Sequence, residues 1–141
     1  MKLDSNHLLP DSQSAYRPFH STETALIKVV NDLLIAMDQG NVSILTLLDL
    51  SSAFDTIDHN ILLERLSSLY GISGVVLSWF QSYLSDRTQF VTIDDRRSNT
   101  VSLEFGVPQG SVLGPILFIL YTKPLATLIE SNSVNSQSYA D

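Results

Sequence analysis

Residues 42–48 are apolar and β-rich without helical spacing, and the run then meets Asp49. Such a stretch reads as a buried strand that carries an acid at its C-terminal end, on a rigid element. Helices are predicted on either side. Ser21-Thr22-Glu23-Thr24 supplies a cap and an early acid, and Ala25, Leu26, Val29, Val30, Leu33, Leu34 and Met37 follow at helical spacing until Gly40. Asp58 is placed to cap a second helix through Ile61, Leu62, Arg65, Leu66 and Leu69, with a stop at Gly71. A third starts near Ser73 and carries Val75, Val76, Trp79, Phe80 and Tyr83, aromatics that read as core.

Residues 88–93 and 100–105 are β-rich and flank Asp94-Asp95-Arg96-Arg97-Ser98-Asn99, which predicts a hairpin with a solvated, charged tip. After a Gly/Pro loop, Ser111 is expected to cap a fourth helix with Pro115 in its first turns and Leu117, Phe118, Leu120 and Tyr121 on its apolar face, ending at Pro124. Residues 131–137 read as a polar connection, and 137–141 as a weakly alternating second strand that could lie beside Asp49. Residues 1–20, with Pro10 and Pro18, read as extended. The expectation is α+β: one domain in which helices cover a small antiparallel sheet.

At 141 residues and 44% hydrophobic content the chain is long enough for one core. It has no cysteine, which excludes disulfides and cysteine zinc sites, and its three histidines show no metal-ligand spacing. The run at 112–121 is broken by Gly114 and Pro115, short of the roughly 18 apolar residues of a membrane span. A soluble or peripheral chain is therefore expected, and the first residues lack the apolar stretch of a secretory signal. The net charge of −7 is the wrong sign for tight free-standing nucleic-acid binding.

Paired strands would bring Asp49 and Asp141 together. At about 4 Å two carboxylates repel by roughly 4 kcal/mol at an effective dielectric near 20, so such a pair shares a proton or binds a cation. Oxygen donors suit Mg²⁺, and two-metal phosphoryl transfer uses that arrangement. Any single Asp at a strand end is more often a turn former or a cap. Asp55, Asp58 and His59 could suggest a further metal cluster, but the structural reading is preferred, with Asp58 capping a helix.

Four segments in order resemble the reverse transcriptases of non-long-terminal-repeat retrotransposons, the LINE type. Residues 12–26, from Ser12-Gln13-Ser14-Ala15-Tyr16-Arg17-Pro18-Phe19-His20 onward, look like the fingers motif, and residues 48–59 like the first catalytic palm motif. Residues 106–120 are similar to the next palm motif. Tyr139-Ala140-Asp141 is similar to the start of the Tyr-Ala-Asp-Asp motif, so the pattern stops after its first Asp.

The resemblance implies a partial right-hand polymerase, fingers-like to about residue 40 and palm-like from about 41, with the thumb absent. It implies that Asp49 and Asp141 hold two Mg²⁺ ions, for which Mn²⁺ may substitute, with the Leu50 carbonyl as a further ligand. Ser52 and Ala53 would offer backbone N–H groups to a triphosphate, Phe54 would lie under the sugar and exclude a 2′-hydroxyl, Gln109 and Gly110 would sit against nucleotide and template, and Arg17 would bind phosphate. The implied partners are an RNA template, a DNA primer and deoxynucleoside triphosphates, within a soluble intracellular protein. Two functions compete: an RNA-directed DNA polymerase module, and a non-catalytic relic acting at most as a binding module.

Overall fold

The computed structural model describes residues 10–139. In chain order they form α1 (Thr22–Asp38), α2 (His59–Ser68), α3 (Gly74–Leu84), β1 (Thr88–Gln89), β2 (Thr92–Ile93), β3 (Arg96–Arg97), β4 (Val101–Ser102) and α4 (Leu113–Ser131). Helices with short antiparallel ladders make this a mixed α and β chain. It divides into two units, Ser52–Tyr121 and the described part of Met1–Ser51 with that of Thr122–Asp141.

In Ser52–Tyr121, α2 starts where the sequence placed it. The Asp58 carboxylate accepts from the N–H groups of Asn60 at 2.8 Å and Ile61 at 3.0 Å, satisfying two orphan donors of the first turn. Leu62 and Leu66, one turn apart on α2, are fully buried, as are Ile57, Leu84, Val107 and Leu117. At about 2 kcal/mol for burying an aliphatic side chain, these residues hold the unit together, because every strand residue is exposed. The expected sheet covered by helices is therefore replaced by two exposed ladders.

Those ladders interrupt one hairpin. Thr88 pairs with Ser102 and Gln89 with Val101, while Thr92 pairs with Arg97 and Ile93 with Arg96. The tip is thus Asp94-Asp95 alone, with Asp94 at φ +51°, a conformation Asp tolerates. Arg96 and Arg97, expected in the turn, belong to the inner ladder, and the Arg97 guanidinium lies 3.4 Å from the Phe90 ring centre. Between the ladders, Ser98 Oγ accepts the Val91 N–H at 2.9 Å, so a side chain takes a backbone donor's place.

On α3, Trp79 is half exposed rather than core. It stacks on Tyr83, one turn along, at 5.4 Å and 12° between planes, and meets Phe80 edge-on at 5.2 Å. The aromatics satisfy one another along the helix surface, which sequence spacing alone does not distinguish from burial.

Helix α4 does not stop at Pro124 but runs through it to Ser131. Proline has no N–H, so the Leu120 carbonyl loses its intrahelical donor. Tyr70 replaces it, its hydroxyl donating to Leu120 O at 3.1 Å, and the Arg65 guanidinium donates to the adjacent Tyr121 carbonyl while lying over the Tyr121 ring. Half-burial pushes the Tyr70 phenol up to about 12, against the opposing pull of Arg65, which keeps it protonated as a donor. Extended in this way, α4 is long and apolar enough to cross a membrane by length and composition. Its residues Gly114, Leu117, Phe118, Ile119 and Leu120 are buried in the protein.

In the other unit, Ser21 and Thr24 close a capping box at the start of α1. Gly40, at φ +74°, ends the helix with its N–H on Met37 O at 2.9 Å. Only Ala25 on α1 is buried. Residues 41–50 have no regular structure and are exposed throughout, so Asp49 does not stand on a strand among the described residues. An apolar, β-rich run becomes a strand only when another segment takes up its backbone groups, and none of the described residues does so. The C-terminal segment pairs elsewhere: Gln13 and Ser138 form a parallel bridge, Ser14 N–H donates to Ser138 O at 2.9 Å and Ser138 N–H to Ser12 O at 2.8 Å. Gln137 Nε2 adds 2.8 Å to Ser12 O and 2.5 Å to Ser14 Oγ. Residues 10–20 are accordingly a set of turns rather than extended chain.

Candidate functional site

Within Ser52–Tyr121 two of the segments singled out in the sequence are joined backbone to backbone. The first folds into a turn: Ser52, at φ +55°, accepts at its carbonyl from Asp55 N–H at 2.9 Å, Thr56 N–H at 3.2 Å and Thr56 Oγ1 at 3.2 Å. The N–H groups of Ser52, Ala53 and Phe54 have no acceptor among the described residues. Like the first donors of a helix, they are available to an anion.

The second segment lies against the first. Phe105 bridges Asp58, Gly106 N–H donates to Ile57 O at 2.8 Å, and Val107 N–H donates to Phe54 O at 2.8 Å. Gly106 is required twice over. Its φ is +82°, and a Cβ there would lie 2.8 Å from Asp55 Cα and 2.9 Å from Phe54 O, backbone atoms that cannot swing aside. Its carbonyl accepts from His59 Nε2 at 2.7 Å and from Arg87 Nη1 at 2.7 Å. The imidazole therefore carries its proton on Nε2 in this contact.

Beyond Gly106 the loop is shaped by its own side chains. Ser111 Oγ donates to Pro108 O at 2.7 Å and accepts the Gly114 N–H at 3.0 Å, which caps α4. Gln109 is exposed, and its Nε2 lies 2.9 Å from each Asp55 carboxylate oxygen. Gly110 has φ +74° and nothing within 4 Å of a notional Cβ, so its requirement here is conformation rather than the close approach expected of a small residue. Phe54 is half-buried and braced by Phe118 of α4, with ring centres 5.4 Å apart and planes tilted by 55°.

Ser52, Ala53, Phe54, Gln109 and Gly110 thus share one unit, while Asp49 and Leu50 lie on the exposed segment of the other. Asp141 is outside the described residues. Arg17 is partly buried, and its Nη1 donates to Pro10 O at 3.3 Å and Gln13 O at 3.2 Å, which braces the turns before α1. Asp58 and His59 are engaged by the α2 cap and by Gly106, and among the described residues no three acids, histidines or cysteines gather to hold a metal. The exposed Asp49 carboxylate and Leu50 carbonyl are hard oxygen donors, and that chemistry fits Mg²⁺.

Sequence reasoning considered Asp55 and His59 only as members of a metal cluster and otherwise structural, without the contacts to Gln109 and Gly106, and it missed Arg87. Asp55 and His59 carried no signal beyond proximity to Asp49, and Arg87 lies 19 residues from the carbonyl it holds.

Comparison with known proteins agrees with this pattern. The family model for reverse transcriptase (RNA-dependent DNA polymerase) matches residues 1–141. The chain is 32% identical over 143 residues to the RNA-directed DNA polymerase from mobile element jockey of Drosophila melanogaster, covering 98% of this chain and 15% of that protein. It is 34% identical over 138 residues to the jockey polymerase of Drosophila funebris, covering 94% and 15% respectively. A probable RNA-directed DNA polymerase from transposon BS of Drosophila melanogaster is 32% identical over 125 residues, covering 87% of this chain and 13% of its own length. The chain therefore spans about 15% of the curated relatives it matches. With the motifs in order and the match running along the whole chain, this protein belongs to the reverse transcriptase (RNA-dependent DNA polymerase) family, as its resemblance to the LINE-type members anticipated.

Proposed function

We propose that this chain carries the nucleotide site of an RNA-directed DNA polymerase, which adds deoxynucleotides to a DNA primer 3′-hydroxyl along an RNA template. The observation that carries the reading is the backbone-to-backbone joining of residues 52–58 to residues 105–107 in a chain of this family. On this reading the N–H groups of Ser52 and Ala53, which have no acceptor among the described residues, meet the triphosphate. Phe54, braced by Phe118, lies under the sugar and excludes a 2′-hydroxyl by bulk. Gln109 and Gly110 face nucleotide and template, and Arg17 serves the phosphates. Residues to about 40 are assigned to fingers and those from about 41 to palm.

Asp49, the Leu50 carbonyl and Asp141 are assigned as ligands of two Mg²⁺ ions, with Mn²⁺ as a substitute. Such ions, when bound, stabilise charge on the attacking and leaving oxygens of phosphoryl transfer. The chain's own part is to bind and orient the nucleotide.

Binding of a fluorescent deoxynucleoside triphosphate to this chain in Mg²⁺ tests the reading. Phe54→Ala and Gln109→Ala should each weaken it by about tenfold, the equivalent of one well-placed contact. Affinities within twofold of the parent for both variants would remove the nucleotide from this site.

A further inference from the structure

The two ends of a glutamine amide differ: the nitrogen donates and Oε1 accepts. A free, exposed glutamine offers either end to a ligand. Gln109 does not have that freedom, because its nitrogen lies 2.9 Å from both oxygens of Asp55. An ionised carboxylate accepts only, so the amide can face it only through the nitrogen, and Oε1 is left outward. No hydrogen bond to Oε1 exists among the described residues.

Asp55 stands on hydrogen-bonded backbone, and the loop that carries Gln109 leaves from residues joined to the same turn. Asp55 N–H is bonded to Ser52 O at 2.9 Å, and Val107 N–H to Phe54 O at 2.8 Å. Gly106, against Asp55 Cα, has its N–H on Ile57 and its carbonyl on His59 and Arg87. The pair is exposed, so it adds little to stability, yet it sets the direction of one polar group at the assigned nucleotide position.

We propose that Asp55 is a positioning residue for Gln109: it holds the amide nitrogen inward, so that Oε1 accepts a hydrogen bond from an O–H or N–H donor of the bound nucleotide. This rests on the nucleotide-site reading above. Gln109 touches the nucleotide and Asp55 acts only through it. Of the residues in this segment, Asp55 alone offers an acceptor pair to that amide.

The experiment is a double-mutant cycle on this chain, with dATP and its 2′,3′-dideoxy analogue as probes in Mg²⁺, beside NMR of the Gln109 side-chain NH₂. Asp55→Ala should weaken dATP binding by about tenfold, but by less than twofold in a Gln109→Ala background. Asp55→Asn, which still accepts one N–H but also donates, should fall between the two. The Gln109 NH₂ signals should shift and exchange faster in Asp55→Ala, with unfolding unchanged. If the donor is the sugar hydroxyl, the Gln109→Ala loss vanishes with the dideoxy analogue; if it is a base amino group, the loss persists. Equal weakening with and without Gln109, or none, overturns the proposal. Binding of dATP with NH₂ signals indifferent to Asp55 defeats this proposal alone. Absence of dATP binding with Asp55-dependent NH₂ signals defeats the nucleotide reading and leaves the contact merely structural.

Discussion

His59 holds the carbonyl of Gly106 at 2.7 Å across 47 residues of sequence, and it shares that oxygen with Arg87. A buried peptide is thereby fixed at the point where the two motif segments meet. His59→Ala or Arg87→Ala should each cost about 1–2 kcal/mol, because the other donor still satisfies the oxygen. The double variant should cost more than the sum, since a buried carbonyl is then left without either side chain. Urea unfolding of the four proteins measures this; strict additivity would mean that the shared oxygen is not what couples them.

Gly106 and Gly110 separate steric from conformational demand. Both have positive φ, but only Gly106 has backbone atoms under 3.0 Å from a notional Cβ. Gly110→Ala should cost about 1 kcal/mol and Gly106→Ala about 3 kcal/mol or more. Denaturation midpoints check the order, and equal losses would contradict the close approach of residues 54–55 to Gly106.

Tyr70 and Pro124 make a second cycle. Tyr70→Phe should destabilise by about 1–2 kcal/mol and by much less with Pro124→Ala, where a new N–H can serve Leu120 O. The phenol also gives a pH signature. Its native value near 12 lies above the ordinary 10, so the folded state binds more proton between them. Stability is full below pH about 10 and is lost as pH rises through about 12. Tyr70→Phe should flatten that decline, as read by unfolding across the alkaline range.

Much of this architecture was legible because its signals are local. Ser21, Asp58 and Ser111 are caps whose side chains reach only two or three residues along, so three helix starts could be read directly. Pro124 misled because the donor that replaces its missing N–H, the Tyr70 hydroxyl, lies 50 residues from the Leu120 carbonyl it serves. The segment at 42–48 misled for a related reason: apolar, β-rich sequence records a capacity to pair, and pairing depends on a second segment. For the site, motif order pointed to Phe54 and Gln109, but their braces, Phe118 and Asp55, follow from the tertiary contact alone.

Phe54 should act as the sugar gate. In the jockey polymerase of Drosophila melanogaster with its matching segment exchanged for this chain, Phe54→Val should raise use of ribonucleotides relative to deoxynucleotides by about tenfold or more, equivalent to about 1.4 kcal/mol. The ratio of kcat/KM values measures it. Unchanged discrimination would leave Phe54 as a core aromatic on Phe118.

The most direct test of the account is primer extension on an RNA template by that same exchanged polymerase, with and without Asp49→Ala, in Mg²⁺ and Mn²⁺. The account predicts metal-dependent extension that falls by at least about a thousandfold, some 4 kcal/mol of transition-state stabilisation, when Asp49 is lost. Extension by Asp49→Ala at the parent rate would contradict it.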